Sequence, residues 1–246
     1  MNGLLFRAVL LFGAITLPLS DTVYAQVAKT PLATDRAAFR VRVYNDEGVP
    51  EGDMSAAFKI VDTALQKVGL QAIWQDCTVG NPNRDSSGCD EHPTQIDLVL
   101  YLVAQLEDHG PNVDRRALGY SLIPRNGERA TMAYVSYARV RTVLSVFRAE
   151  ELLGLAVTHE IGHLLLGTNR HSNSGLMRAP WRSKDLDSGD WEHFTFTSEQ
   201  SRQLRAAVLV RIIKGQQATT PPSARIHSEV IPMPNLRGGF NGSTQH

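Results

Sequence analysis

His159-Glu160-Ile161-Gly162-His163 sets two imidazoles four residues apart, with a carboxylate directly after the first. On an α-helix, positions i and i+4 stack on one face with Cβ atoms roughly 5–6 Å apart. That spacing lets two ring nitrogens converge on one Zn²⁺ at metal–nitrogen distances of about 2.0–2.1 Å. Glu160 stands off the ligand axis, close enough to act as general base on a water at the metal. A shuffled chain of this composition would contain the pattern on the order of once in a hundred, so helical coincidence is a weak competitor.

Catalytic zinc sites normally use three protein ligands and leave a position for water. The chain continues Leu164-Leu165-Leu166-Gly167-Thr168-Asn169-Arg170-His171-Ser172, and Gly175-Leu176-Met177 follows. A glycine turn just past the second histidine can fold the chain back and deliver His171 as the third ligand. With these residues the chain resembles the metzincin zinc metallopeptidases, the matrixin-like group most closely. Their motif is HExxHxxGxxH, followed by a methionine-bearing turn beneath the metal. The resemblance implies Zn²⁺ on His159, His163 and His171, Glu160 as general base and Met177 as the turn methionine. It implies an exported zinc-dependent endopeptidase that acts on peptide or protein substrates. It also implies an edge strand, expected at Ala130–Tyr137, that holds an extended peptide by main-chain pairing.

The spacing departs from the family pattern at one place. There the glycine follows the second histidine by three residues and the last ligand follows by three more; here both intervals are four. Asn169 therefore occupies the family's ligand position, although imidazole is the far better zinc ligand. Glu192 and His193, within Trp191-Glu192-His193-Phe194, are further alternatives to His171. The altered interval keeps a second function open, a metzincin-like fold used as a weakly active or inactive binding or inhibitory module. An intact Glu160 favours the enzyme, since a purely structural metal has no use for a base there.

The elements that must position these groups follow from hydrophobic period. Phe39, Val41 and Val43 alternate with Arg40, Arg42 and Tyr44, as in a half-exposed strand. Met54, Phe58, Val61, Leu65 and Val68 form one helical stripe, with Asp53 available as a cap and Gly69 as a stop. Leu70 to Asp76 reads as a strand, and the nearly continuous apolar run from Ile96 to Ala104 as a central one. Two more strands are expected near Leu118–Ile123 and Ala130–Tyr137, with an Asn-Gly turn signal at 126–127 between them. A helix from Arg148 to Leu166 then carries the histidine pair and ends at Gly167, and Ser198 to Ile213 forms a last amphipathic helix. This order predicts one α/β, zincin-like domain: a mixed, mostly parallel twisted sheet with an antiparallel edge strand, a backing helix and the zinc-binding helix.

Length and composition set the outer bounds. The 246 residues are 42% hydrophobic and 20% charged, with 25 basic residues against 25 acidic ones, so nucleic acid is not an expected partner. Arg7, the apolar run from Val9 to Leu19 and Val23-Tyr24-Ala25 read as an export signal over residues 1–25. Pro18 and the short run argue against a membrane anchor, which predicts a secreted or periplasmic protein, expected to be a monomer. Residues 26–38 read as an unstructured lead-in without a cysteine, 39–214 as the catalytic domain, and the proline-bearing stretch 215–246 as a disordered tail. In an exported chain, the pair Cys77 and Cys89 most simply forms a disulfide. His92, His109 and His227 read as solvated loop residues, and Trp181, Trp191, Phe194 and Phe196 as core cover.

Overall fold

Alternating burial builds the first strand, β1 (Ala37–Asn45), with Phe39, Val41 and Val43 turned into the core. The structure is a computed structural model that describes residues 36–219 apart from 83, 85, 107–113, 115, 125–128, 144–147 and 182–192. The export signal, most of the lead-in, the Asn-Gly turn, Glu192 and the tail beyond 219 lie outside the described residues. After β1 come α1 (Glu51–Lys67), β2 (Leu70–Asp76), a short α2 (Ser86–Cys89), β3 (Asp97–Val103), β4 (Gly119–Leu122) and β5 (Met132–Ser136). Then follow α3 (Tyr137–Val143), α4 (Ala149–Leu166) and α5 (Ser198–Thr219). The strands form one five-stranded sheet in the order β2-β1-β3-β5-β4, all parallel except β4, which runs antiparallel to β5.

Each face of the sheet has its own chemistry. On one, Phe39, Val41, Leu98, Leu100, Leu102, Ala133 and Val135 pack in a single core with Ile60, Val61 and Leu65 of α1 and Leu153, Val157 and Ile161 of α4. On the other, Tyr44, Tyr101, Tyr134 and Tyr120 occupy paired positions on four adjacent strands and stack at centroid separations of 4.8, 5.1 and 5.1 Å. Beside this row, Asp97 is fully buried and accepts from Arg40 Nε at 2.7 Å, Arg42 Nη2 at 2.6 Å and the Thr94 amide at 2.7 Å. Arg42 also donates to the carbonyl of Glu91, which ties the Cys77–Cys89 loop onto the sheet. The two cysteines are bonded to each other.

Three expectations need correction. Ala130–Tyr137 is not the edge: β5 lies inside the sheet between β3 and β4, and the antiparallel edge strand is β4. The alternation in β5 records one apolar face and one tyrosine-bearing face, and period alone says nothing about strand order. Asp53 does not cap α1; Pro50 precedes the first turn, and Asp53 within it accepts a hydrogen bond from the Tyr137 hydroxyl. Finally, α5 runs past Ile213 to Thr219, into the stretch expected to be tail. No helix breaker other than Gly215 intervenes before Pro221, and one glycine costs a helix only about 1 kcal/mol.

Candidate active site

The central helix α4 is buried on every side from Leu152 to Leu165, and within that span stand Thr158, His159, Glu160 and His163. Such burial fixes side-chain directions through packing. His159 and His163 are 7% and 4% exposed, and their Nε2 atoms approach to 3.0 Å. The helix closes at Gly167, whose left-handed backbone (φ 65°) turns the chain back along the helix end. That turn brings the Thr168 carbonyl to 2.6 Å from His163 Nδ1. It also brings His171 Nε2 to 3.2 Å from His163 Nε2. The ligand-capable atoms of the three histidines all lie within 4.8 Å of one another.

The remaining ring nitrogens decide what this trio can hold. His159 Nδ1 lies 2.8 Å from the Leu176 carbonyl and His163 Nδ1 faces the Thr168 carbonyl. A carbonyl oxygen only accepts, so both Nδ1 atoms carry the proton and both Nε2 atoms present lone pairs. Burial, followed by the like charge of its neighbour, pushes His159 down to about 3. Burial chiefly brings His163 down to about 4. Both are neutral at pH 7, the state in which imidazole binds metal. Two facing lone pairs at 3.0 Å with no proton between them repel. A cation among them reverses the sign, and tetrahedral coordination at about 2.05 Å puts ligand nitrogens about 3.3 Å apart. The donor set therefore fits a metal ion.

Met177 lies directly beneath the pair and is fully buried. A Cβ on Gly162, between the two histidines, would come within 2.5 Å of its sulfur and 3.0 Å of the Phe196 ring. Glycine there is what lets the methionine turn close against the helix. The turn is anchored by the Leu176 amide donating to the Thr195 carbonyl and by Trp181 Nε1 donating to the Leu176 carbonyl. Trp181 also presents its ring edge-on to His159 at 5.5 Å.

Glu160 packs against β4 and is 5% exposed. The Ser121 hydroxyl lies 2.7 Å from Glu160 Oε2 and 3.0 Å from the carbonyl oxygen of the same residue. Burial pushes the carboxyl up to about 8, while the Ser121 hydrogen bond pulls the other way. A cleft of about 950 Å³ opens over these groups, lined by Leu118 to Ile123 along β4, by all three histidines and Glu160, and by Arg178 to Trp181.

Of the alternatives for a third ligand, Asn169 lines the same cleft as the three histidines, whereas the exposed His193 lies outside both that lining and the histidine group. Sequence reasoning missed Ser121 and the two carbonyls that orient the rings, at Thr168 and Leu176. None carries a motif: a serine on a short strand and main-chain oxygens are visible only once the chain is folded. Among the described residues, no helix is long and apolar enough to cross a membrane.

No family model matches the chain, and no curated protein matches it. Among solved structures it is similar to metalloproteinase-II from Bacteroides fragilis, with 15% identity and a TM-score of 0.44 over 71% of this chain and 54% of that one. The match thus spans about half the length of that protein, and so distant a likeness adds no weight to the geometry.

Proposed function

We propose that the chain is an exported zinc-dependent endopeptidase, with His159, His163 and His171 as metal ligands and Glu160 as general base. The observation that carries this reading is the convergence of three Nε2 lone pairs, two of them fixed by carbonyls behind the rings, beside a buried carboxylate. When bound, zinc would supply Lewis-acid polarisation of the scissile carbonyl and a lowered pKa for the attacking water. The charge of a cation on the histidines would draw the Glu160 pKa back down and ionise it, so that it takes the proton of that water and returns it to the leaving amine. Ser121 holds one carboxylate oxygen, which leaves the other free for the transfer. The open side of β4 runs along the cleft, so its main chain can pair with an extended peptide and lay a scissile bond across the histidines. The Cys77–Cys89 disulfide supports an oxidising, extracytoplasmic location.

The test is zinc content and casein cleavage in parallel for the wild type and three variants. Wild type should hold one zinc and cleave. His171→Ala should lose both properties, and Asn169→Ala should keep both. Glu160→Ala should retain zinc while cleavage falls by about 10²–10⁴-fold. Wild-type cleavage by Glu160→Ala would refute the base. Stoichiometric zinc in a wild-type protein that cleaves no unfolded substrate would favour the binding module.

A further inference from the structure

A second cavity, of about 350 Å³, lies where the segment before β3, the lead-in to β5 and helix α5 meet. It shares no lining residue with the histidine cleft. Its lining contains three cationic side chains, Arg129, Arg211 and Lys214, and no acidic one. Lys214 follows Arg211 by three residues on α5, a spacing that puts both on one face of the helix.

Arg211 is the unusual member. It is 3% exposed, and its Nη2 donates to the carbonyls of Ala130 at 2.7 Å and Leu164 at 3.2 Å. Its Nη1 is equally buried and has no partner. A charged donor withdrawn from water with a hydrogen bond unmade is costly, and native structures rarely leave one so. Burial, and after it the like charge of Arg129, draws its pKa down to about 10. Arg129 in turn donates to Gln95 Oε1, a neutral acceptor that does nothing for its charge. Asp97, two residues past Gln95 of the lining, is already engaged by Arg40, Arg42 and the Thr94 amide. No described protein anion answers these three cations.

We propose that this cavity binds a tetrahedral oxyanion, a phosphate or sulfate group, between Arg129, Arg211 and Lys214. Such a group carries up to two negative charges and accepts at several oxygens, which suits a guanidinium pair and an ammonium, with Thr94 and Thr131 also in the lining. A carboxylate, with one charge, would leave two cations unanswered. Because Arg211 bonds the carbonyl of Leu164 on α4 and that of Ala130 ahead of β5, an occupant would brace the junction behind the active-site helix.

The full-length chain can be titrated with inorganic phosphate, inorganic sulfate and sodium chloride at matched ionic strength, followed by calorimetry and thermal melting. Phosphate or sulfate should bind at one site and raise the melting temperature, and chloride should not. The double variant Arg129→Gln/Lys214→Gln, altered only at the rim, should bind at least about tenfold more weakly while keeping the cleavage rate of the wild type. Competition by O-phosphoserine or a sugar sulfate would show that the group is also taken as an ester. Equal stabilisation of the wild type and the double variant, or chloride performing as well as phosphate, would overturn the site. Neither result depends on whether the histidine cleft is a peptidase.

Discussion

The candidate active site works through single atoms whose partners are main-chain or small polar groups. Ser121 is the clearest case, with its hydroxyl 2.7 Å from Glu160 Oε2 in a buried setting. A hydrogen bond to a charged group contributes about 1.5–3 kcal/mol, and each 1.4 kcal/mol is a factor of ten in rate. Ser121→Ala should therefore lower kcat by about ten- to a hundredfold while leaving zinc content and KM near wild type. Steady-state kinetics beside metal analysis checks this, and a fall in zinc content in step with kcat would mean that Ser121 supports the metal site instead. Glu160 and the first two histidines were legible from adjacency and an i, i+4 interval. Ser121 was not, because 39 residues separate it from the carboxylate it holds.

At the scale of elements, the sheet is held by a buried charge cluster on the face opposite α1 and α4. Burial alone would raise the Asp97 pKa, but the Thr94 amide and the Arg40 and Arg42 guanidiniums more than reverse that and leave it below the usual carboxylate value. A carboxyl depressed in the folded state contributes stability above its unfolded pKa of about 3.9 and loses it as pH falls through the folded value. Asp97→Asn should cost about 3–5 kcal/mol at pH 7, because Arg42, 1% exposed, loses its counter-charge. Urea unfolding at pH 7 and pH 3 should show the gap between wild type and variant closing in acid, and a gap that does not change would refute the account. The edge strand offers a second test. A Cβ on Gly119 would come within 2.7 Å of the Tyr134 carbonyl oxygen and 2.9 Å of Glu160 Cγ. Gly119→Ala should destabilise by about 1–3 kcal/mol and reduce cleavage, with zinc content unaffected. The strands themselves were readable from period two, but their order was not, which is how β5 came to be mistaken for the edge.

For the whole molecule, a metal held by the three histidines would be linked to the fold, since α4 and the Gly167 turn bring them together only in the native chain. A ligand that binds only the folded state stabilises it by about 4 kcal/mol at a thousand times its dissociation constant. A chelator should therefore lower the melting temperature of the wild type and added zinc should restore it. His171→Ala should show a much smaller zinc-dependent shift. Equal zinc response in wild type and His171→Ala would remove that residue from the ligand set.

From the residues alone came the helix that carries His159, Glu160 and His163, the αβ character of the chain and the cysteine pair, because these rest on local period, adjacency and composition. The competition between Asn169 and His171 could not be decided that way. One extra helical residue turns the chain exit by about 100°, and only the particular path after Gly167 determines whether a second added residue compensates. The fold makes that compensation, setting His171 Nε2 3.2 Å from His163 Nε2. Strand order, the serine behind Glu160 and the basic cavity beside Arg211 arise the same way, from contacts between distant segments that no spacing along the chain encodes.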